Sequence, residues 1–322
     1  MLWFVVRRLG IAVVLLVGLL TLVFAVLHAL PGDPAERFLD PDADPEVVRH
    51  ARRAYGLDAP LPVQYGRWLQ AFLLRRDLGH SFATRQPVSA MLREAVPHTV
   101  LLAGTALVVR LALGIALGTW AAVRRGRGVD RAVLGAALVL HSIPAFWLGA
   151  MAILVFALGL GWLPVSGMES LDHARLTPLG RAADTLQHLM LPMLVLAAGG
   201  IASTARYVRA GVLAALAHES VRTARAHGIP ERRIVLRHAL RNAMVPVVQL
   251  IGLSLPALVG GALVIETLFA WPGMGRLAYM AIGTRDYPVL LATTWLSGVL
   301  VVIGSLLADV AAAMLDPRQQ LA

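Results

Sequence analysis

The sequence predicts an all-α integral membrane protein with about six transmembrane helices, and three observations carry that reading. Of the 322 residues, 58% are hydrophobic and only 15% are charged. Mean hydropathy is +0.70. The charges lie in blocks between long apolar runs, and Arg clusters at the ends of those runs. A soluble protein of this length would need a polar surface, which this composition does not supply.

A hydrocarbon core about 30 Å thick needs roughly 20 apolar residues of helix. Six stretches qualify: 9–30, 98–123, 132–160, 188–205, 243–265 and 289–314. The third exceeds the minimum and is expected to tilt or to continue beyond the bilayer. Pro192 and Gly199-Gly200 interrupt the fourth. Neighbouring helices would have to satisfy the backbone groups freed there. Gly114 and Gly118 form a G-x-x-x-G pair in the second, a spacing that lets another helix approach closely.

Arginine placement sets the orientation. With a cytoplasmic N-terminus, the inside segments hold 15 Arg against five acids, and the outside segments 13 Arg against 14 acids. Both termini are therefore expected in the cytoplasm. The apolar run within Met1 to Leu30 is longer than the core of a signal peptide. Ala29-Leu30-Pro31-Gly32-Asp33 is no small-x-small cleavage site, so this stretch is expected to stay as the first span. The chain then divides into a first transmembrane helix (1–30), an extracytoplasmic cap (31–97) and a five-helix core (98–322). The core carries a cytoplasmic loop at 206–242. Helical patterning at 46–56 and 63–75 suggests that the cap is folded rather than a linker.

Composition also excludes chemistries. There is no Cys, hence no disulfide, thiol nucleophile or Cys-ligated metal. There is no Lys either: all 29 basic residues are Arg. A Walker A loop needs Lys for the β- and γ-phosphates, and a pyridoxal enzyme needs it for a Schiff base. Any ATP hydrolysis must come from a partner. The net charge of +10 belongs to basic loops beside membrane spans and not to a nucleic-acid surface. His218-Glu219 lacks a second His four residues after the first, and no G-x-S-x-G elbow occurs, so no catalytic or metal constellation is evident.

The informative segment runs from Ala217 to Pro246. It reads as two short helices broken at Gly228-Ile229-Pro230. Gly228 suits a left-handed helix end, Pro230 the first turn of the next helix, and Glu231 the positive end of that helix. Such a shaped, exposed knob suits docking into a cleft on a cytoplasmic partner. The stretch resembles the EAA loop of permease subunits in binding-protein-dependent ABC importers. The aligned residues are Arg222-Thr223-Ala224, then Gly228, then Pro246. Arg222 replaces the usual Glu and Thr223 the first Ala. The form around Arg222–Arg233, followed by Arg237-His238-Ala239-Leu240-Arg241-Asn242-Ala243, is similar to the dipeptide, oligopeptide and nickel permeases. Other segments agree in order along the chain: Ala29–Pro34, Tyr55–Asp58, Pro60–Tyr65, Asp77–Ser81, Ser142–Gly149, Leu163–Gly167, Glu266–Gly273, Arg285–Pro288 and Leu315–Arg318.

The resemblance implies a type I ABC importer permease in a bacterial inner membrane. It implies a second similar permease, two cytoplasmic ATPase subunits that bind the ATP and Mg, and an external binding protein that delivers substrate. The chain itself would hold no cofactor and perform no catalysis. Glu219, Arg222, Thr223, Ala224, Arg225, His227, Gly228, Ile229, Pro230 and Glu231 would form the part that transmits ATPase closure to the spans, giving alternating access. Dipeptides or oligopeptides are the expected cargo, with nickel or glutathione as alternatives within the family. A secondary transporter or a membrane-embedded enzyme is the different-class alternative. The first would need no docking loop, and the second needs facing nucleophile and base residues that are not evident.

Three ionisable residues fall in or beside spans. Arg110 lies about twelve residues into the second, near mid-bilayer at about 1.5 Å per residue. A charge there costs at least about 2.5–3.5 kcal/mol, so it should face protein or water. It either attracts a substrate carboxylate or forms a structural pair with an acid or backbone carbonyls. Glu266, at the outer end of the fifth span, either lines the pathway mouth or is solvated or caps a turn. Asp309, near the inner end of the sixth, suits helix packing or an interface.

Overall fold

The computed structural model of the chain describes residues 2–29, 46, 49, 53, 58–74, 77–241, 243–244, 247 and 262–315. The described regular structure is helical. No strand occurs among the described residues, only an isolated antiparallel bridge between His80 and Pro87. In chain order the helices are α1 (Leu2–Ala29), α2 (Leu61–Leu74), α3 (Val88–Val123), α4 (Gly128–Ser142), α5 (Ala145–Ala152), α6 (Pro178–Leu216), α7 (Glu219–Ala226), α8 (Glu231–Arg233), α9 (Met274–Thr284) and α10 (Tyr287–Leu315). α5 continues as a π-helical stretch, Ile153–Gly159, and α8 as another, Ile234–Ala239.

Among the described residues, four helices are long and apolar enough to cross a membrane: Gly10–Ala29, Val88–Val123, Pro178–Leu216 and Tyr287–Leu307. They rise to five if a bent pair counts as one span. That pair corrects the expected continuous span at 132–160. Gly128–Ser142 and Ala145–Gly159 meet at 104°. Pro144 supplies no N–H and forces the residue before it out of the helical region. Ile143 accordingly sits at φ −86, ψ 127.

Two more boundaries shift. α3 begins at Val88, ten residues before the expected start of the second span, and carries Pro97 inside it. Its first turn is set where the Pro87 carbonyl accepts from the amides of Ala90 and Met91. α6 runs unbroken for 39 residues where a span interrupted within 188–205 was expected. Thr177 caps its start by accepting from the Gly180 amide at 3.2 Å, and Pro178 follows. The expected fifth span, 243–265, lies mostly outside the described residues, with helix again at 262–268. In the cap, the expected helix at 63–75 appears as α2. Of 46–56, only Glu46, Arg49 and Arg53 are described, each helical.

The chain packs as two compact units. One comprises residues 2–98 and 273–300. Its core joins Phe24 and Leu27 of α1 to Val88, Leu92 and Ala95 of α3, Met274 and Ala281 of α9, and the first turns of α10. Polar groups set the register. The Asp286 carboxylate, 2% exposed, accepts from the Ser81 hydroxyl and from the Ala83 amide at 3.3 Å. Tyr287 donates its hydroxyl to the Leu27 carbonyl at 2.9 Å. The segments Asp77–Ser81 and Arg285–Pro288, far apart in sequence, thus meet as one structural element.

The other unit comprises residues 99–272, together with 301–322. It has two apolar clusters. Leu102, Leu189, Leu191, Val195, Ile265, Phe269 and Trp271 form one. Ala122, Val208, Val212, Ala239, Ala243 and Val247 form the other. α3 and α6 meet at the predicted glycine pair. A Cβ at Gly114 would lie 2.6 Å from the Thr204 Cβ, and one at Gly118 would lie 2.5 Å from the Ala205 carbonyl oxygen. Only glycine permits that approach.

Candidate functional site

The knob that follows α6 is built mainly from local interactions. His218 sits in extended backbone before α7, and its ring nitrogen accepts from the Ser220 amide. Glu219 begins the helix, where its charge complements the helix dipole. Thr223 donates its hydroxyl to the Glu219 carbonyl at 3.2 Å, and His227 Nδ1 lies 2.8 Å from the Thr223 carbonyl. α7 closes in a Schellman arrangement: the Gly228 amide donates to the Arg225 carbonyl at 2.9 Å, and the Ile229 amide to the Ala224 carbonyl at 3.2 Å. Gly228 has φ +71, which it adopts without steric cost.

Pro230 occupies the cap position of α8, one place before the first turn in which it was expected, and Glu231 is the first helical residue. An ion pair clamps the two helices across this turn. Arg225 Nη2 donates to Glu231 Oε1 at 2.6 Å and Nε to Oε2 at 3.1 Å. These bonds hold the Glu231 carboxyl below its ordinary range and push Arg225 up.

Apolar side chains hold the knob to the rest of its unit. Val221, Ile234, Val235 and Ala239 are buried, and Ala239 packs with Ala122, Val208 and Val212. The opposite face is open: Arg222, Thr223, Arg225, His227, Gly228, Pro230, Glu231, Arg232, Arg233 and Arg237 are exposed, while Ala224 and Ile229 are half-buried. All of the expected loop residues therefore lie on one contiguous segment, with a strongly cationic exposed face. Such a surface suits a partner with acidic groups around a cleft.

Arg110 is set apart from this surface. It is only 5% exposed. Its aliphatic stem lies across Gly200, where a Cβ would come within 2.3 Å of Arg110 Cδ. Its Nε donates to the Thr204 hydroxyl at 3.2 Å. The glycines expected to interrupt the fourth span therefore include one that seats a cation. The partner is a hydroxyl, where the sequence offered an acid or backbone carbonyls as the structural alternatives.

Glu266 is fully buried and accepts from the Thr99 hydroxyl at 2.7 Å. The expectation of a solvated end-of-span Glu is corrected. The carboxylate lies in a chain segment packed by Ile265, Phe269 and Trp271. Nearby, three of the quoted segments meet. A Cβ at Gly149 would lie 2.5 Å from Leu268 Cδ2, and the Gly167 amide donates to the Phe269 carbonyl at 2.8 Å. Asp309 is half-buried on α10.

Sequence reasoning missed one pair. Arg209, read only as an orientation signal, forms a two-bond ion pair with Asp130: Nε to Oδ1 at 2.5 Å and Nη2 to Oδ2 at 2.8 Å. The Gly126 amide adds a bond to Oδ2 at 2.8 Å. The signal was Asp130 itself, the lone acid among Arg124, Arg125, Arg127 and Arg131. A second cluster joins His173 Nδ1 and the Ser170 amide to the Asp184 carboxylate, at 2.6 and 2.9 Å. Among the described residues, no group of three His, Cys, Asp or Glu is arranged to hold a metal.

Residues 114–321 match the family model of the binding-protein-dependent transport system inner membrane component, and residues 1–103 match that of its N-terminal region. The chain belongs to this family. It is 36% identical over 316 residues to the oligopeptide transport system permease protein AppB of Bacillus subtilis, covering 98% of each chain. It is 39% identical over 311 residues to the glutathione transport system permease protein GsiC of Salmonella paratyphi A, covering 97% of this chain and 96% of the relative. The fold class expected from sequence is thus shown: an all-helical membrane component of the type I permease fold. This permease works with a substrate-binding protein, as its family description states.

Proposed function

We propose that this permease forms half of the transmembrane pathway of an ATP-driven importer of dipeptides or oligopeptides, and that its 218–232 knob couples ATPase closure to alternating access. The observation that carries the reading is the knob. It is closed by a Schellman turn, clamped by Arg225–Glu231 and anchored through Val221 and Ile234, with its arginines facing outward. A rigid surface of this kind transmits a push, which a floppy connection would absorb. With no Lys in the chain, the nucleotide engine belongs to a partner. The expected assembly contains a sister permease, two cytoplasmic ATPase subunits and an external binding protein. Both termini and the knob face the cytoplasm, as arginine placement argues. Peptide cargo is supported by the likeness to AppB. The likeness to GsiC favours glutathione, itself a small peptide, as the second reading.

The cysteine-free chain offers a direct test. An Ala226→Cys variant places one thiol on the exposed side of α7. A membrane-impermeant maleimide should label it in inside-out vesicles and not in right-side-out vesicles, and co-expressed ATPase subunits should block the labelling. Labelling from the outer side, or labelling indifferent to the ATPases, overturns the coupling role.

A further inference from the structure

We propose that Arg110 recognises a carboxylate of the transported peptide, with the end-on fork of its guanidinium presented to the substrate. This inference rests on the reading of the chain as a peptide importer. Arg110 offers five N–H donors in a fixed plane. One, on Nε, is committed to Thr204. Among the described residues, the four on the two terminal nitrogens have no hydrogen-bond partner and no carboxylate pairs with the guanidinium. The stem is buried against Gly200, and the side chain as a whole is 5% exposed.

The same unit shows how this chain treats a structural arginine. Arg209 has both Nε and Nη2 engaged by Asp130, and the Gly126 amide completes the carboxylate. Arg110 has no such partner among the described residues, although an unpaired cation within a span is costly. What it has instead is alignment. Gly200 lets the stem lie flat against α6, and Thr204, 2% exposed, fixes the plane through Nε. A planar fork held in this way, with two parallel donors free, matches a carboxylate and matches a neutral or cationic group poorly. The carboxylate can come from the peptide C-terminus or from an acidic side chain.

The test uses the whole assembly in proteoliposomes, with peptide pairs chosen because the external protein loads both members equally. The arms are a free-acid peptide, its C-terminal amide, and an amide bearing one Glu side chain. An Arg110→Gln assembly that co-purifies intact should import the free acid about tenfold more slowly or worse, the size of one lost charge-assisted contact. The plain amide should change far less. Arg110→Lys should recover part of the loss. Thr204→Val keeps the volume, frees Nε and should reduce the preference for the free acid. Loss on the Glu-bearing amide assigns side-chain carboxylates as ligands as well. Loss confined to the free acid assigns the C-terminus alone. Equal free-acid import by Arg110→Gln and the parent overturns the proposal. So does uniform loss for acid and amide, or failure of both Arg110→Gln and Arg110→Lys to assemble, either of which assigns a structural role. No peptide import by the parent assembly overturns the importer reading itself.

Discussion

The knob at 218–232 and the Arg110 seat lie in the same unit yet are stabilised in opposite ways. The polar bonds that shape the knob span at most six residues: a cap at His218, a left-handed Gly228 and the Arg225–Glu231 clamp. The seat is made by residues about ninety positions apart, Arg110 against Gly200 and Thr204, brought together where α3 and α6 touch. Local bonds preserve the shape of a surface that must move as a piece. Long-range packing holds one side chain at a fixed place inside the membrane domain. Damage to the first should therefore be local and graded, and damage to the second global.

The largest effect is expected at the helix crossing. A Cβ at Gly118 would sit 2.5 Å from the Ala205 carbonyl oxygen and 3.1 Å from its Cα. These are backbone atoms, so no rotamer change relieves the clash and the helices must separate. Gly118→Ala should cost about 1–3 kcal/mol or more, as overpacking does. It should appear as a lowered Tm of the detergent-solubilised assembly and as loss of free-acid import through displacement of the Arg110 seat. A Gly118→Ala chain with unchanged Tm would break the contrast drawn here.

That contrast also separates what was legible in the sequence from what was not. The knob was legible because Gly228, Pro230 and Glu231 carry their signals within four positions. The Gly114–Gly118 pair was legible as a packing cue for the same reason. Its partner helix was not, since nothing near residue 114 names Thr204 or Ala205. Gly199-Gly200 was read as a break because glycine weakens helices. In a helix packed on its neighbour, Gly200 instead makes room for a stem. The span at 132–160 was misread because hydropathy is continuous through Ile143-Pro144, while the backbone is not. Glu266 was read as lining the pathway mouth, solvated or capping a turn, because its outward position gives no hint of Thr99, 167 residues away.

A smaller effect is expected at Gly228, and it separates conformation from packing. Nothing lies within 4 Å of a Cβ added there, yet its φ is +71. Gly228→Ala therefore meets no clash and costs roughly 1–2 kcal/mol for the left-handed backbone alone. Hydrogen exchange should speed up over 219–230 and stay unchanged elsewhere, and co-purified ATPase should fall without loss of the membrane domain. Asn, which tolerates this region better, should restore part of the protection. Exchange that rises along α6 as well would show that the knob and the crossing are one cooperative structure.

The smallest effect is expected at Glu231→Gln. Both partners of the Arg225–Glu231 pair are about half exposed, at 46% and 54%, so solvent screens much of their attraction. Because Arg225 depresses the Glu231 carboxyl, the clamp is complete at any pH above the ordinary glutamate range. It weakens only as pH falls through the lowered folded-state value. Affinity of the permease for its ATPase subunits should therefore show no inflection from this pair between about pH 5 and 8. Glu231→Gln should lower that affinity slightly at low salt. The difference should vanish near 1 M salt, where the screening length is about 3 Å. A deficit that survives high salt would mean that Glu231 touches the partner directly, and the clamp would then be part of the docking contact as well as its support.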